Sequence, residues 1–323
     1  MPLITPRRAL LAGFAAAPLA RPALAQPAWP NRPIRIIVPF PPGGSNDVVA
    51  RPLAERLQAK LGQAVVIDNR AGAGGVLGST TVSQAAPDGY TLMVTSSSFA
   101  TSSIVQRTNY RLPEDFEAVA LLAKAPFFIL TNRDFPPRTV QELVAAAKAD
   151  PGGIDYGSSG PGGINQFITE YFCLRAGIRM NHIPYRGMPP AVTDLIAGNI
   201  KVLITTVASA NAPAREGMVN VLAYTAAGRP EGSRPAPTVR EAGIDYEADI
   251  WWGLFGPKGM PPEVIARLNA ASNEALADPA TERLMQAEGA RPAPDTSANF
   301  ATLLREELAR WRQVAQAANI RTE

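Results

Sequence analysis

One cysteine, one histidine and five lysines are all that 323 residues contain of these types. The single cysteine, Cys173, excludes an intrachain disulfide and any multi-cysteine metal site. The single histidine, His182, excludes His-rich zinc sites and weighs against a Ser–His triad. No HExxH, Walker A or EF-hand pattern is present, so neither a metal nor a cofactor is expected. No uninterrupted apolar run is long enough to span a bilayer. The 31 prolines and 26 glycines follow no short period, which excludes a collagen-like or low-complexity chain. Excess charge is also missing once its position is considered. Lys and Arg number 31 against 28 acids, but Arg7, Arg8 and Arg21 lie in the first 25 residues, which hold no acid. The remainder carries 28 of each sign, and a neutral chain gives no basic face for nucleic acid. What remains, 46% hydrophobic and 18% charged, is the balance of one large or two medium globular domains.

Residues 1–25 read as a signal peptide. Arg7-Arg8 precede a short apolar stretch, Ala9 to Ala20, broken by Gly13 and Pro18. Ala23-Leu24-Ala25 then gives the small-x-small pattern of a cleavage site, predicting a mature chain from Gln26. The paired arginines fit a twin-arginine signal and equally an ordinary secretory one. No cysteine near the cleavage site offers a lipid anchor, so the expected product is soluble and periplasmic.

Downstream, strands, loops and helices alternate. Ile34–Val38 reads as a buried strand, and Phe40-Pro-Pro-Gly-Gly44 as a loop. A helix capped by Ser45 or Asn46 is expected to stop at Gly62, with a kink at Pro52. Val65–Ile67 and Tyr90–Val94 read as strands, with a glycine turn and a helix between them. The pattern then repeats. Strands are predicted at Phe127–Leu130, Ile154–Tyr156, His182–Ile183, Ile200–Thr205 and Val219–Tyr224. Helices are predicted at Val140–Ala149, Asn165–Ala176 and Pro190–Ala197, with three more in the tail. The fold class is α/β, with a largely parallel sheet in two lobes of interleaved chain.

Phe40, Pro41, Pro42, Gly43, Gly44, Ser45, Asn46 and Asp47 form the sharpest local feature. Glycines between a strand and a helix free backbone amides at a helix N-terminus, which attracts anions without a basic side chain. The alternative is a tight turn that only caps, with Asp47 complementing the helix dipole. Gly157 to Gly163 repeats the device and supplies Ser158, Ser159, Gly162, Gly163 and the following Asn165. Two such turns suit a cleft between lobes and an organic anion within it. Ser96, Ser97 and Ser98, at a strand end, either wall the cleft or form a surface turn. Arg186 either pairs with a ligand carboxylate or is a solvated loop charge. Of adjacent Trp251 and Trp252, one is expected in the core and the other in the cleft wall. Gly72–Gly78 lacks the third glycine of a dinucleotide loop, and Gly157-Ser-Ser-Gly160 lacks the last glycine of a nucleophile elbow. Cys173 reads as a buried inert thiol and Arg70 as an ion-pair partner.

Together these segments resemble a known family. Val38-Pro-Phe-Pro-Pro-Gly-Gly44, Asn69-Arg-Ala-Gly-Ala-Gly-Gly75 and Pro87-Asp-Gly-Tyr-Thr-Leu92 are similar to motifs of the Bug family, the periplasmic receptors of tripartite tricarboxylate transporters. So are Tyr156–Gly160, Ile183–Gly187, Asp194–Gly198, Pro237–Gly243 and Trp252-Gly-Leu-Phe255. The resemblance covers essentially the whole mature chain. It implies a two-lobed periplasmic binding-protein fold, here 27–126 plus 227–323 and 127–226, that closes on small organic acids. It implies that the Pro41–Asp47 and Ser158–Asn165 loops hold carboxylates, with Thr205 and Thr206 facing the cleft where many members carry an acid or amide. The partners implied are an organic anion and the membrane components of the transporter, with no catalysis and a monomeric receptor. A secreted hydrolase or lyase, or a ligand sensor for a kinase, are the alternatives.

Overall fold

The computed structural model describes residues 29–229, 232–287 and 289–320; the expected signal peptide lies outside them. β1 (Ile34–Val38) leads into α1 (Ser45–Leu61), which Gly62 ends in the left-handed conformation, φ 70°. Pro52 is buried within that one helix. β2 (Val65–Asn69), α2 (Val76–Ser83), β3 (Thr91–Ser96) and α3 (Ser98–Val105) follow. β4 (Phe116–Asn132) is the longest strand, and only its last third was legible in the sequence. Its register shifts between Ala118 and Ala120 and again between Leu121 and Ala123, which breaks the alternation that marks a strand.

The chain continues through α4 (Val140–Ala149), β5 (Asp155–Ser158), α5 (Ile164–Ala176), β6 (Asn181–Pro184) and α6 (Met188–Ala197). After β7 (Val202–Thr206) come α7 (Val207–Arg215), β8 (Val219–Tyr224) and β9 (Asp249–Pro257). α8 (Pro262–Leu276), α9 (Pro279–Ala287), β10 (Arg291–Pro292) and α10 (Ser297–Ala317) complete it. α3 escapes the sequence because it has no clear apolar face, and α7 because it carries Pro213 and a non-helical Ala210.

The strands run in the order β2-β1-β3-β9-β4-β7-β5-β6, with β8 and β10 also paired to β4. β4 joins two halves. Residues 116–126 pair with β9, and residues 127–132 pair with β7 and β8. The outer strands of each half are parallel, as expected of a strand–helix alternation. Around β4 all pairings are antiparallel, so the sheet is mixed, with its parallel pairings among the outer strands. The segment after β8, expected with the first half, packs on the second. Tyr246 Oη donates to Ile168 O, and Gln141 Nε2 to Ala242 O. A large core fills both halves, including Ile36, Leu92, Phe127, Phe167, Trp252 and Trp311. A smaller one covers the other face of β4 around Phe128, Leu130, Leu195 and Tyr224.

Candidate functional site

A cleft of about 670 Å³ lies between the two halves of the sheet. Five helices, α1, α3, α5, α6 and α7, place residues of their first turns on its wall. Of the helices that begin elsewhere, α4 and α10 are capped by their own side chains, Thr139 accepting from Glu142 N and Thr296 from Asn299 N, while α2 and α8 are not. None of the five helices at the cleft has a side-chain cap bond. The sequence expectation that Ser45 or Asn46 caps α1 is corrected here. The cap position is Gly44, which has no side chain to offer. The amides of Ser45 and Asn46, and of Ile164 and Asn165, donate to nothing among the described residues. They are free to meet an anion, and the helix dipole favours one there.

Phe40, Pro41, Pro42, Gly43, Gly44, Ser45 and Asn46 all line the cleft. Asp47 does not, contrary to expectation. Its carboxylate turns back to accept from Gly43 N (2.9 Å), Arg51 Nε (2.7 Å) and Asn69 Nδ2 (3.0 Å). Burial works against its charge, yet these hydrogen bonds hold its pKa below the ordinary value. Asp47 is thus the strut of the loop.

Of the second loop, Ser159 and Asn165 line the cleft. Ser159 Oγ donates to Asn165 Oδ1 (3.1 Å), while Asn165 Nδ2 donates to Ile204 O (2.9 Å). Ser158, Gly162 and Gly163 are corrected away from the wall. Gly162 N is taken by Gln166 Oε1 (2.7 Å) and Gly163 N by Gly160 O (3.2 Å). Ser158 is fully buried, its Oγ 2.6 Å from His182 Nε2 and accepting from Gly160 N (3.1 Å). The pair resembles nucleophile and base, but the hydroxyl has no access to the cleft. It fixes the loop instead.

Burial lowers the His182 pKa to about 4, so the imidazole is neutral. In the unfolded chain it titrates near its ordinary value of 6.5. The unfolded state therefore binds the extra proton as pH falls. The stability contributed by neutral His182 is complete above about pH 6.5 and is lost progressively toward about pH 4. Thermal melts across this window should show a steeper acid loss for wild type than for His182→Gln. Equal slopes would remove His182 from the acid response.

Ser96 and Ser98 also line the cleft, as do Thr205 and Thr206. Ser97 does not: it is fully buried and its carbonyl starts α3. Phe127, Ile164, Gly187, Met188, Pro189, Ser209 and Ile250, none of them a site candidate from sequence, complete the wall. Most are apolar and read as core. Ser209 stands three residues after Thr206 and bonds it (2.8 Å), a spacing that could have marked a helix start. Both tryptophans are buried, and Ile250, not either of them, faces the cleft.

No residue on the wall carries a charge. Two buried polar atoms there, Asn46 Oδ1 and Thr205 Oγ1, have no partner. Such atoms cost free energy unless a ligand or water satisfies them. Arg186 is exposed and lies outside the wall. Arg186→Ala should accordingly change carboxylate affinity less than about threefold by calorimetry; a loss of a hundredfold would put the guanidinium on the ligand.

The arrangement has clear relatives. Residues 49–320 match the family described as "Tripartite tricarboxylate transporter family receptor". The chain is 37% identical over 307 residues to protein BugT of Bordetella pertussis, covering 94% of each. Its fold is similar to that of an R. palustris protein solved with adipate, with TM-score 0.77 and 30% identity over 91% of this chain and 99% of that one. It is likewise similar to MatC of Rhodopseudomonas palustris solved with bound malate, with TM-score 0.74 and 30% identity over 88% and 99%. An uncharged cleft ringed by uncapped helix ends, on a chain matching these proteins nearly end to end, belongs to a solute-binding receptor of the tripartite tricarboxylate transporter family and not to an enzyme.

Proposed function

We propose that the cleft captures a small organic dicarboxylate and that the two halves act as lobes that close on it. One carboxylate sits on the amides of Gly44 to Asn46, with the hydroxyls of Ser45, Ser96 and Ser98. The other sits on the amides of Ile164 and Asn165, with Ser159, Thr205 and Thr206. Phe40, Pro41, Phe127, Met188 and Ile250 pack the methylenes between them. The observation that carries this is the absence of any charged residue from a wall where five helix N-termini lack side-chain caps. Adipate and malate, found in the two neighbours, are both dicarboxylates.

The lobe boundary falls where β4 changes partners, between Pro126 and Phe127. The returning segment up to Ala248 moves with the second lobe, because it packs on α4 and α5. The receptor acts as a monomer and delivers its ligand to the membrane components of the transporter. Export removes residues 1–25, so mass spectrometry of the periplasmic protein should find a chain beginning at Gln26; a full-length cytoplasmic product would end that reading.

Ligand identity is tested by thermal shift against linear dicarboxylates of four to six carbons. A ligand at 100 times its Kd should stabilise the protein by about 2.7 kcal/mol. The matching diamides, which carry no charge, should give none. Equal response to diamides, or no response to any diacid, would overturn the assignment.

A further inference from the structure

A second cavity, of about 260 Å³, lies on the other face of β9. Ile250 lines the main cleft, while its neighbours Asp249 and Trp251 line this rear cavity. That is the alternation of a strand, whose successive side chains point to opposite faces. Lys124 stands opposite Trp251 in the β4–β9 ladder and so shares its face. α10 supplies Glu307 and Arg310, and α5 supplies Tyr171.

Arg240 pairs with Glu247 (3.1 Å) and Asp245 (3.8 Å) at the edge of this cavity, but the polar groups beside β9 do not all close on one another. Glu307 is satisfied: its carboxylate accepts from Trp311 Nε1 (2.7 Å) and Arg310 Nη1 (3.0 Å). Trp251, only 1% exposed, has an indole N–H near that carboxylate, but it makes no hydrogen bond of normal geometry. The half-buried Lys124 ammonium makes no hydrogen bond or close ion pair among the described residues, though its charge acts on both Asp249 and Glu307. Asp249 Oδ2 receives one long contact from Arg291 Nη2 (3.4 Å), while the buried Oδ1 has no donor at all. The cavity therefore presents two donors without an acceptor and one acceptor without a donor. Burying Trp251 Nε1 and Asp249 Oδ1 unpaired is costly, and one small molecule bearing both complements satisfies them while its carboxylate meets the half-buried Lys124 ammonium.

We propose that this rear cavity is a second binding site, specific for a small zwitterion of the α-amino acid class. The ligand carboxylate accepts from Lys124 Nζ and Trp251 Nε1, and its ammonium donates to Asp249 Oδ1. Tyr171 and Trp251 give the side chain an aromatic wall, and the modest volume restricts it to small residues. The main cleft, with no acid on its wall, offers an ammonium no charged partner. The two sites thus divide diacids from zwitterions.

The test is a titration of the full mature chain with each of the twenty standard α-amino acids. It is followed by tryptophan fluorescence, which Trp251 should report, and by calorimetry. Saturable 1:1 binding of at least one small amino acid is expected. Its N-acetyl derivative and its amide, each missing one charge, should bind at least about tenfold more weakly. Lys124→Gln and Asp249→Asn should each weaken binding about tenfold or more. Gly44→Asp, in the main cleft, should leave it unchanged. Circular dichroism and melting of the two rear variants confirm that they fold. Should either unfold, the derivative series and Gly44→Asp still decide. No binding by any amino acid would overturn the proposal. So would equal binding of the derivatives, or loss of binding in Gly44→Asp alone. Failure of diacids at the main cleft is measured separately and leaves this result standing.

Discussion

Gly44→Asp should abolish dicarboxylate binding while leaving the receptor folded and at least as stable as wild type. The position permits the change. Gly44 has φ −77° and ψ 167°, extended backbone open to any residue. A Cβ there meets only Pro41 O, at 3.5 Å, an ordinary contact. Asp is also among the best residues for a helix N-cap, and α1 has no side-chain cap of its own. The new carboxylate would accept from the amide of Asn46 or Asp47 and stabilise α1 by about 1 kcal/mol. The Asn46 amide is one of those assigned to the ligand. The variant therefore fills the anion site from within and repels whatever carboxylate approaches. Two such charges about 4 Å apart repel by about 4 kcal/mol at a near-surface dielectric, roughly a thousandfold in affinity. Gly44→Asn would cap without charge, and should cost only about tenfold. The two variants together separate amide occupancy from repulsion. Binding by Gly44→Asp within threefold of wild type would remove α1 from the anion site.

The elements that could be read from sequence are those with local punctuation. Gly62, Gly177 and Gly198 each end a helix in the left-handed conformation, and those three stops were where glycine made them visible. α4 was legible to the residue because Thr139 and Glu142 announce its first turn. β4 was legible only beyond the two register shifts of its pairing with β9, over Phe127–Leu130. The site divides along the same line. Glycine turns before helices marked the two loops that reach the cleft, because the requirement for free amides is written in the loop itself. Which polar residue in a loop faces the ligand is not written there. Asp47 and Ser158 have the right chemistry, but both spend it internally, on Arg51 and Asn69 and on His182 and Gly160. Phe127, Met188 and Ile250 have no polar signature, and only the pairing of β4 with β9 and the start of α6 put them on the wall. Long-range pairing decides these roles, and no local pattern encodes it.

Trp311→Ala should be the most destabilising single change outside the sheet. Trp311 is fully buried on α10 and packs edge-on against Phe167 and Tyr171 of α5, with centroids at 6.0 and 5.8 Å. α10 runs along β4, and this contact fastens it to the second half. Removing a buried tryptophan costs about 3–5 kcal/mol through lost transfer energy and the cavity left behind. The same change strips Glu307 of the Nε1 donor at 2.7 Å. Burial already pushes the Glu307 carboxyl above its ordinary pKa, so a lost partner is felt. A total near 4–5 kcal/mol corresponds to a drop in Tm of about 8–20 °C for a chain of this size. Trp311→Phe separates the two terms. It keeps most of the ring and leaves the carboxylate short of one donor, so it should cost only about 1–3 kcal/mol. Adding Glu307→Gln to Trp311→Phe should then restore part of that loss, because the buried group no longer carries charge. Affinity for a dicarboxylate, measured well below the melting range, should move less than threefold in all three variants, since none touches the cleft wall. A Trp311→Ala protein within 1 kcal/mol of wild type would mean that α10 does not fasten the halves. A large fall in affinity at low temperature would mean instead that α10 sets how the halves meet.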